Sequence, residues 1–315
     1  MAVHEGPGIG GHDPVMVREV TEVLAPIPSG VLVDATVGAG GHTAALLERR
    51  PDLSFVGLDR DPAALAAAAR RLPDGVRLHR CRYADLGAAL AELGVGSLAG
   101  VIFDLGVSSM QLDTPARGFS YRAAGRIDMR MDPTAELSAA QIVNEWPLER
   151  LASLLRRYGD EPHAHRIARA IVARRPLHDT VALAEVVRAA VPARDRRRGG
   201  HPAKRSFQAL RIAVNDEIAQ IAPALTQSID LLVRYGRGVV LSYHSGEDRV
   251  VKDTLAAAAS GGCACPPRLP CVCGAVAGIR LLSRRPARPA PEETRRNPRA
   301  TSARLRSFEK LRAAA

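Results

Sequence analysis

The chain opens as an alternation. Short apolar runs recur between Ala-rich stretches of helical composition, and a parallel sheet with helical crossovers is the fold that such a pattern allows. Val31–Val37 (VLVDATV) reads as a buried strand behind Ser29-Gly30, and Ser54–Asp59 (SFVGLD) as a second. Val76–Cys81 (VRLHRC) is a weaker third and Gly100–Val107 (GVIFDLGV) a clear fourth. Residues 41–50, 61–71 and 85–93 supply the helices between them.

The alternation stops after residue 109. Residues 110–205 hold no convincing buried strand: a polar stretch, Met110–Pro133, precedes helical segments around 138–157, 161–174 and 180–190. They close on a basic loop, Arg194–Arg205 (RDRRRGGHPAKR). The pattern then resumes with a helical face of Phe207, Leu210, Val214, Ile218, Ile221 and Leu225, in which Pro223 would place a kink. A fifth strand, Gly238–Tyr243, leads to Ser245-x-x-Asp248, a capping-box start for the next helix, and Gly278–Ser283 could be a last strand. The expected class is α/β, a Rossmann-like sheet built from 1–109 and 206–315 with a helical domain, 110–205, inserted in it. Residues 1–11 and about 284–315 read as tails, the second rich in Pro and Arg and solvated.

Chemistry gathers at the strand ends. Asp34-Ala-Thr-Val-Gly38-Ala-Gly40-Gly41-His42 follows the first strand and opens a helix, where glycines let backbone approach a ligand closely. It is neither Gly-x-Gly-x-x-Gly nor a P-loop, and alone it could equally be a structural turn. Asp59 ends the second strand 21 residues after Gly38, placed to accept hydrogen bonds from ribose hydroxyls. Tyr83 follows the third strand, where its ring could cover an adenine, and Asp104 ends the fourth. Any one of these acids could be a solvated strand end; three in succession after a glycine loop form a site at the switch point of a doubly wound sheet. Asp34 and Asp104 would repel a pyrophosphate, so a cationic, phosphate-free nucleoside fits better. S-adenosylmethionine is such a ligand.

The net charge is +11 over 315 residues, which points to a polyanionic partner. It is uneven: −4 over 1–109, +7 over 110–205, +1 over 206–283 and +7 over 284–315. A GC-rich genome explains why nearly all of it is Arg, but not the clustering. With 46% hydrophobic and 24% charged residues, wholesale disorder is excluded. No apolar run approaches the roughly 20 residues of a membrane helix, and Met1–Gly11 lacks the pattern of a secretory signal. Cys81 stands alone while Cys263, Cys265, Cys271 and Cys273 crowd together, so a disulfide framework is not indicated and a cytoplasmic location is the default. Those four thiols could close around zinc, although Cys-x-Cys is tighter than usual spacing, and no metal is assigned. His12, His42, His201 and His244 show no ligand spacing and read as hydrogen-bonded structural groups.

Taken together, the motifs closely resemble one family, the bacterial small-subunit ribosomal RNA cytosine-N4 methyltransferases of the MraW type. The resemblance runs from about His12 to Arg306. It is carried by His12-Asp-Pro-Val-Met16, Asp34–Thr43, Leu58-Asp-Arg-Asp-Pro62, Asp104–Asp113, Arg117-Gly-Phe-Ser-Tyr121, Asp128–Asp132, His201–Glu217, His244–Lys252 and Asn297-Pro-Arg299. The chain departs from the family pattern at Arg126-Ile127, usually Pro-Leu, and at Gly246, usually Leu. The resemblance implies an S-adenosylmethionine-dependent enzyme with an inserted helical substrate domain, methylating the exocyclic N4 of a cytidine in the decoding region. It implies that Gly40, Gly41 and His42 meet the cofactor at the loop, Asp59 holds its ribose, Tyr83 lies by the adenine, and Asp104 and Gln111 stand near its amino-acid part and methyl group. Asp104 is also the candidate catalytic acceptor, with Phe119, Tyr121 or Tyr243 as the aromatic platform. The partner is small-subunit rRNA, naked or in an assembled subunit, and a homodimer is left open. Two other readings compete. A DNA amino-methyltransferase is disfavoured because Asp104-Leu-Gly-Val replaces the usual Pro-Pro-aromatic sequence, and a non-catalytic nucleic-acid-binding protein because the strand-end acids are intact.

Overall fold

The computed structural model describes residues 14–196, 200–266 and 272–311. Its sheet has seven strands: β1 (Val31–Asp34), β2 (Ser54–Asp59), β3 (Arg77–Arg80), β4 (Leu98–Asp104), β5 (Leu232–Ser242), β6 (Ile279–Leu281) and β7 (Arg304–Lys310). The order is β3-β2-β1-β4-β5-β7-β6. The first five strands pair in parallel, and β7 runs antiparallel to both β5 and β6. Strand order reverses between β1 and β4, which opens a crevice at their carboxyl ends.

The central strands are apolar because both of their faces are covered. Leu32, Ile102, Val239 and Leu241 point into one layer, under helices Val17–Leu24 and Gly41–Arg49. Val33, Val101, Phe103 and Val240, one residue out of phase, point into the other, under helices Leu86–Glu92, Glu217–Leu231 and Ser245–Ser260.

Between β4 and β5 the chain builds a second hydrophobic cluster, running from Phe119 to Val214. Its helices are Ala139–Glu145, Leu148–Gly159, Ala164–Ala173, Thr180–Ala190 and Lys204–Asn215. The stretch read as one helix over 138–157 is two, because Pro147 cannot continue the first. Helix Lys204–Asn215 packs into this cluster through Phe207, Ala209, Leu210 and Val214, so the helical part extends past residue 205.

Three further expectations are corrected. Phe207 to Leu225 do not lie on one helix kinked at Pro223; the chain breaks at Asp216, whose φ of 51° is left-handed, and Pro223 sits inside the second helix. The capping residue at the start of helix Ser245–Ser260 is His244, with Glu247 at its third position, one residue earlier than the Ser245–Asp248 reading. Most consequentially, 284–315 is not wholly a solvated tail: Arg304–Lys310 forms β7 inside the sheet. Its charges mislead because each is paired. Arg304 and Arg306 hold Asp248 at 2.7 Å, Glu309 accepts from Arg237 and Arg280, and Lys310 donates to the Ile229 carbonyl. His12, Asp13, Arg197, Arg198 and Cys271 lie outside the described residues, as do 1–11.

Candidate functional site

Asp34 ends β1 and is buried. One oxygen accepts from the Thr36 N–H at 3.3 Å and the other from the Thr43 hydroxyl at 2.9 Å. Burial pushes its pKa up to about 6. Thr36 Oγ1 in turn accepts from the Asp104 N–H at 2.6 Å, which fastens the turn after β1 to the end of β4.

Glycine is required in that turn. Gly40 has φ 78°, and a Cβ there would stand 2.8 Å from Leu72 Cδ1. At Gly41 a Cβ would stand 2.2 Å from Pro14 Cγ. Gly40 caps helix Gly41–Arg49 without a side-chain hydrogen bond, so the first-turn N–H groups face the crevice without side-chain acceptors.

Asp59 ends β2. Its carboxylate accepts from the N–H groups of Gly38 and Asp61, at 3.0 and 2.9 Å. Burial raises its pKa to about 6 despite those bonds. Each oxygen keeps a lone pair for a ligand hydroxyl. The sequence reading missed Asp61, although Asp-Pro at a helix start signals an N-cap. Its Oδ1 accepts from the Ala63 N–H, and its Oδ2 accepts from Gln111 Nε2 and Arg117 Nη2, both at 2.8 Å. Gln111 also closes a capping box with Ser108, so it ties the segment after β4 to the segment after β2. Beside them opens a cleft of about 490 Å³ lined by Asp61, Arg70, Met110, Asp113 and Arg117.

Asp104 ends β4. Tyr243, just past β5, donates its hydroxyl to Asp104 Oδ1 at 2.7 Å, and burial together with that carboxylate raises the phenol's pKa. His42 Nε2 lies 3.4 Å from Asp104 Oδ2. The His42 ring is buried, and apart from the Nε2 pairing with Asp104 its nitrogens have no partner among the described residues. Burial disfavours its imidazolium, but Asp104 and Asp34 outweigh that and hold its pKa above the ordinary value.

Tyr83 sets its ring edge-on to Phe103 at 6.2 Å and donates its hydroxyl to the Glu217 carbonyl at 2.6 Å. Behind it, Arg211 pairs with Glu217 through two bonds of 2.9 Å, and Glu247 Oε2 accepts from the Tyr243 N–H at 2.8 Å. This buried network anchors Tyr83 and Tyr243, and sequence reasoning did not find it because Tyr83 meets Glu217 across 134 residues of chain. Of the three aromatic candidates, Tyr243 adjoins Asp104. Phe119 is buried in the helical cluster, and Tyr121 stacks on His201 at 4.4 Å.

The geometry therefore collects Gly40, Gly41, His42, Asp59, Asp104 and Gln111 around the carboxyl ends of β1, β2 and β4, with Tyr83 on the flank. A family model described as the MraW methylase family matches residues 10–311. The chain belongs to that family. It is 49% identical over 310 residues to a ribosomal RNA small subunit methyltransferase H of Heliobacterium modesticaldum, covering 96% of this chain and 99% of the relative. The protein of that name from Thermobifida fusca is 47% identical over 319 residues, covering 98% and 96%. That from Mycobacterium tuberculosis is 48% identical over 324 residues, covering 97% and 81%.

In this MraW-family chain the remaining motifs have structural work. Arg117 of the Arg-Gly-Phe-Ser-Tyr motif spans from Asp61 to the carbonyls of Arg130 and Met131. Asn215 joins Asp128–Asp132 to the helical break, accepting from the Met131 N–H and donating to the Met129 carbonyl. Among the described residues, no helix is long and apolar enough to cross a membrane.

Proposed function

We propose that this protein transfers a methyl group from S-adenosylmethionine to the exocyclic N4 of a cytidine in the decoding region of small-subunit ribosomal RNA, in the cytoplasm. The observation that carries the reading is the Asp104 carboxylate, held between the Tyr243 hydroxyl and the buried His42 ring, in a chain whose relatives bear the name of small-subunit rRNA methyltransferases.

The residues present fit the cofactor. Asp59 offers acceptors for a ribose diol, and the open first turn of helix Gly41–Arg49 suits a carboxylate. Asp34 and Asp104 suit a cation, and the His42 ring is a buried polar group that a ligand would complete. Tyr83 would flank the adenine, and Gln111 would close the site behind Asp61. The cofactor supplies an already activated methyl group.

What remains for the chain is positioning and proton handling. A cytosine N4 is a weak nucleophile because its lone pair is delocalised into the ring. Asp104 accepts a hydrogen bond from that amine, orients its lone pair, and takes the proton that the nitrogen sheds after attack. Tyr243 fixes the carboxylate through Oδ1 and offers its ring as a base platform. The helical part, residues 110–205 with its extension to Asn215, acts as the substrate-recognition element. Incubating the protein with small ribosomal subunits and methyl-labelled cofactor, then mapping the modified base, tests the reading. Label on the N4 of a cytidine is expected, and label on adenine, on protein or nowhere overturns it.

A further inference from the structure

The loop joining helix Ser245–Ser260 to β6 carries thiols that methyl transfer does not use. Cys263, Cys265 and Cys273 hold their Sγ atoms within 4.8 Å of one another, with Cys263 and Cys273 3.5 Å apart. Left-handed glycines bend the loop into that shape: Gly261 (φ 63°) and Gly262 (φ 74°) end the helix, and Gly274 (φ 70°) turns the return. The Val276 carbonyl passes 2.3 Å from where a Gly261 Cβ would stand, so the return lies against the root of the loop.

A hydrophobic cause for this gathering is missing. Val272 is 89% exposed and Val276 49%, and none of Cys263, Cys265 and Cys273 is buried. Ordering such a loop costs conformational entropy that no apolar contact among its described residues offsets. A crosslink would. The backbone N–H groups of Val272 and Cys273 point at the Cys265 sulfur and help to fix its place in the loop.

We propose that Cys263, Cys265 and Cys273 bind one structural zinc ion. Zinc–thiolate bonds of about 2.3 Å in a tetrahedron set sulfurs about 3.8 Å apart; here one pair stands 3.5 Å apart and all three lie within 4.8 Å, close enough for one ion to draw them together. Each thiol gives its proton to solvent as its sulfur binds, so three protons leave per ion and no oxidant is involved. Cys271, the other cysteine in the sequence cluster, lies outside the described residues, and the proposal stands on the three that are described. Helix Ser245–Ser260 separates the thiols from Tyr243; its 16 residues span about 24 Å. The ion would therefore staple a loop beside β6 and take no part in methyl transfer, whatever the substrate proves to be.

Metal analysis of the full chain, purified without chelator, should return close to one zinc per chain. Cys265→Ser and Cys273→Ser should each lose most of it, while Cys81→Ser, just past β3 at the opposite edge of the sheet from β6, keeps it. Cobalt in place of zinc should give the thiolate charge-transfer absorption and intense visible bands of a tetrahedral site. Cofactor affinity should change less than about twofold in the serine variants, given the separation along the helix. Should a variant not fold, zinc released from the unaltered chain by a mercurial, and captured by a chromophoric chelator, answers the same question. A chain that holds no zinc or cobalt, that carries a Cys263–Cys273 disulfide, or that keeps its zinc in Cys265→Ser overturns the proposal.

Discussion

Asp34 and Asp59 are carboxylates kept where their charge is costly. Burial raises both to about pKa 6, above the ordinary value of 3.8. The folded chain thus binds their protons more tightly than the unfolded chain does. Their contribution to stability is fully present below about pH 4 and is lost as pH rises through the raised values near 6. A cationic ligand reverses that disadvantage by favouring the ionised forms. His42 acts in the same direction, since its imidazolium, favoured at low pH, would repel a cation. Binding of S-adenosylmethionine should therefore strengthen about tenfold between pH 5 and 7, with proton release near pH 5.5 detected calorimetrically in buffers of different ionisation enthalpy. S-adenosylhomocysteine, which lacks the sulfonium charge, should show a smaller change. Equal pH profiles for the two would show that the carboxylates do not face the sulfur. Asp104→Asn separates orientation from catalysis. Turnover should fall by about 10²–10⁴, far more than cofactor affinity, which loses only one of the two carboxylates that suit the cation. A parallel loss of both would make Asp104 a cofactor ligand only. These acids were legible because each ends a strand run; Asp61 was not, because Gln111 and Arg117 lie 50 and 56 residues away, and the Arg211–Glu217 pair was not, because it spans the break between two helices at Asp216.

At the scale of elements, β7 is the instructive case. Phe308 is fully buried, and its ring fills the space above Gly238, where a Cβ would stand 2.2 Å from Cζ. Phe308→Ala should cost about 3–5 kcal/mol, read as a fall in denaturation midpoint, whereas a solvated tail would tolerate the change. Four of the five parallel strands could be read from sequence because burial on both faces selects apolar runs; β3, at the sheet edge with no buried residue, was the weak reading. In β7 only Leu305 and Phe308 signal burial; Arg304, Arg306, Glu309 and Lys310 look like a polar tail until Asp248, Arg237, Arg280 and the Ile229 carbonyl are brought beside them. Helix starts show the same limit at shorter range. Ser138 and Asp179 are ordinary caps, but a histidine cap at His244 has no compositional signature.

At the scale of the whole molecule, the internal pairing of β7 changes how the charge is read. The segment 284–315 carries +7, yet Arg304, Arg306 and Lys310 hold the sheet together rather than facing a partner. On the proposed function, beside the arginines of 284–299, the helical part, also +7, is one basic segment available for phosphate contact. Lys204 and Arg205 stand out there. Both are exposed, and both sit in the first turn of helix Lys204–Asn215, where cations oppose the helix dipole. That placement disfavours the isolated helix and suits one that meets an anion. Neutralising both, as Lys204→Gln with Arg205→Gln, should weaken RNA binding, and the loss should shrink as salt is raised. The slope of log affinity against log salt should become shallower by about one to two, since each lost phosphate contact releases fewer counterions. Cofactor affinity, set among carboxylates and backbone N–H groups, should change little with salt or with these substitutions. The same double variant built at Arg304 and Arg306 should instead lower the melting temperature, because it strands Asp248 in a partly buried site. An unchanged salt slope in the first variant, measured on folded protein, would move the RNA contact away from this helix.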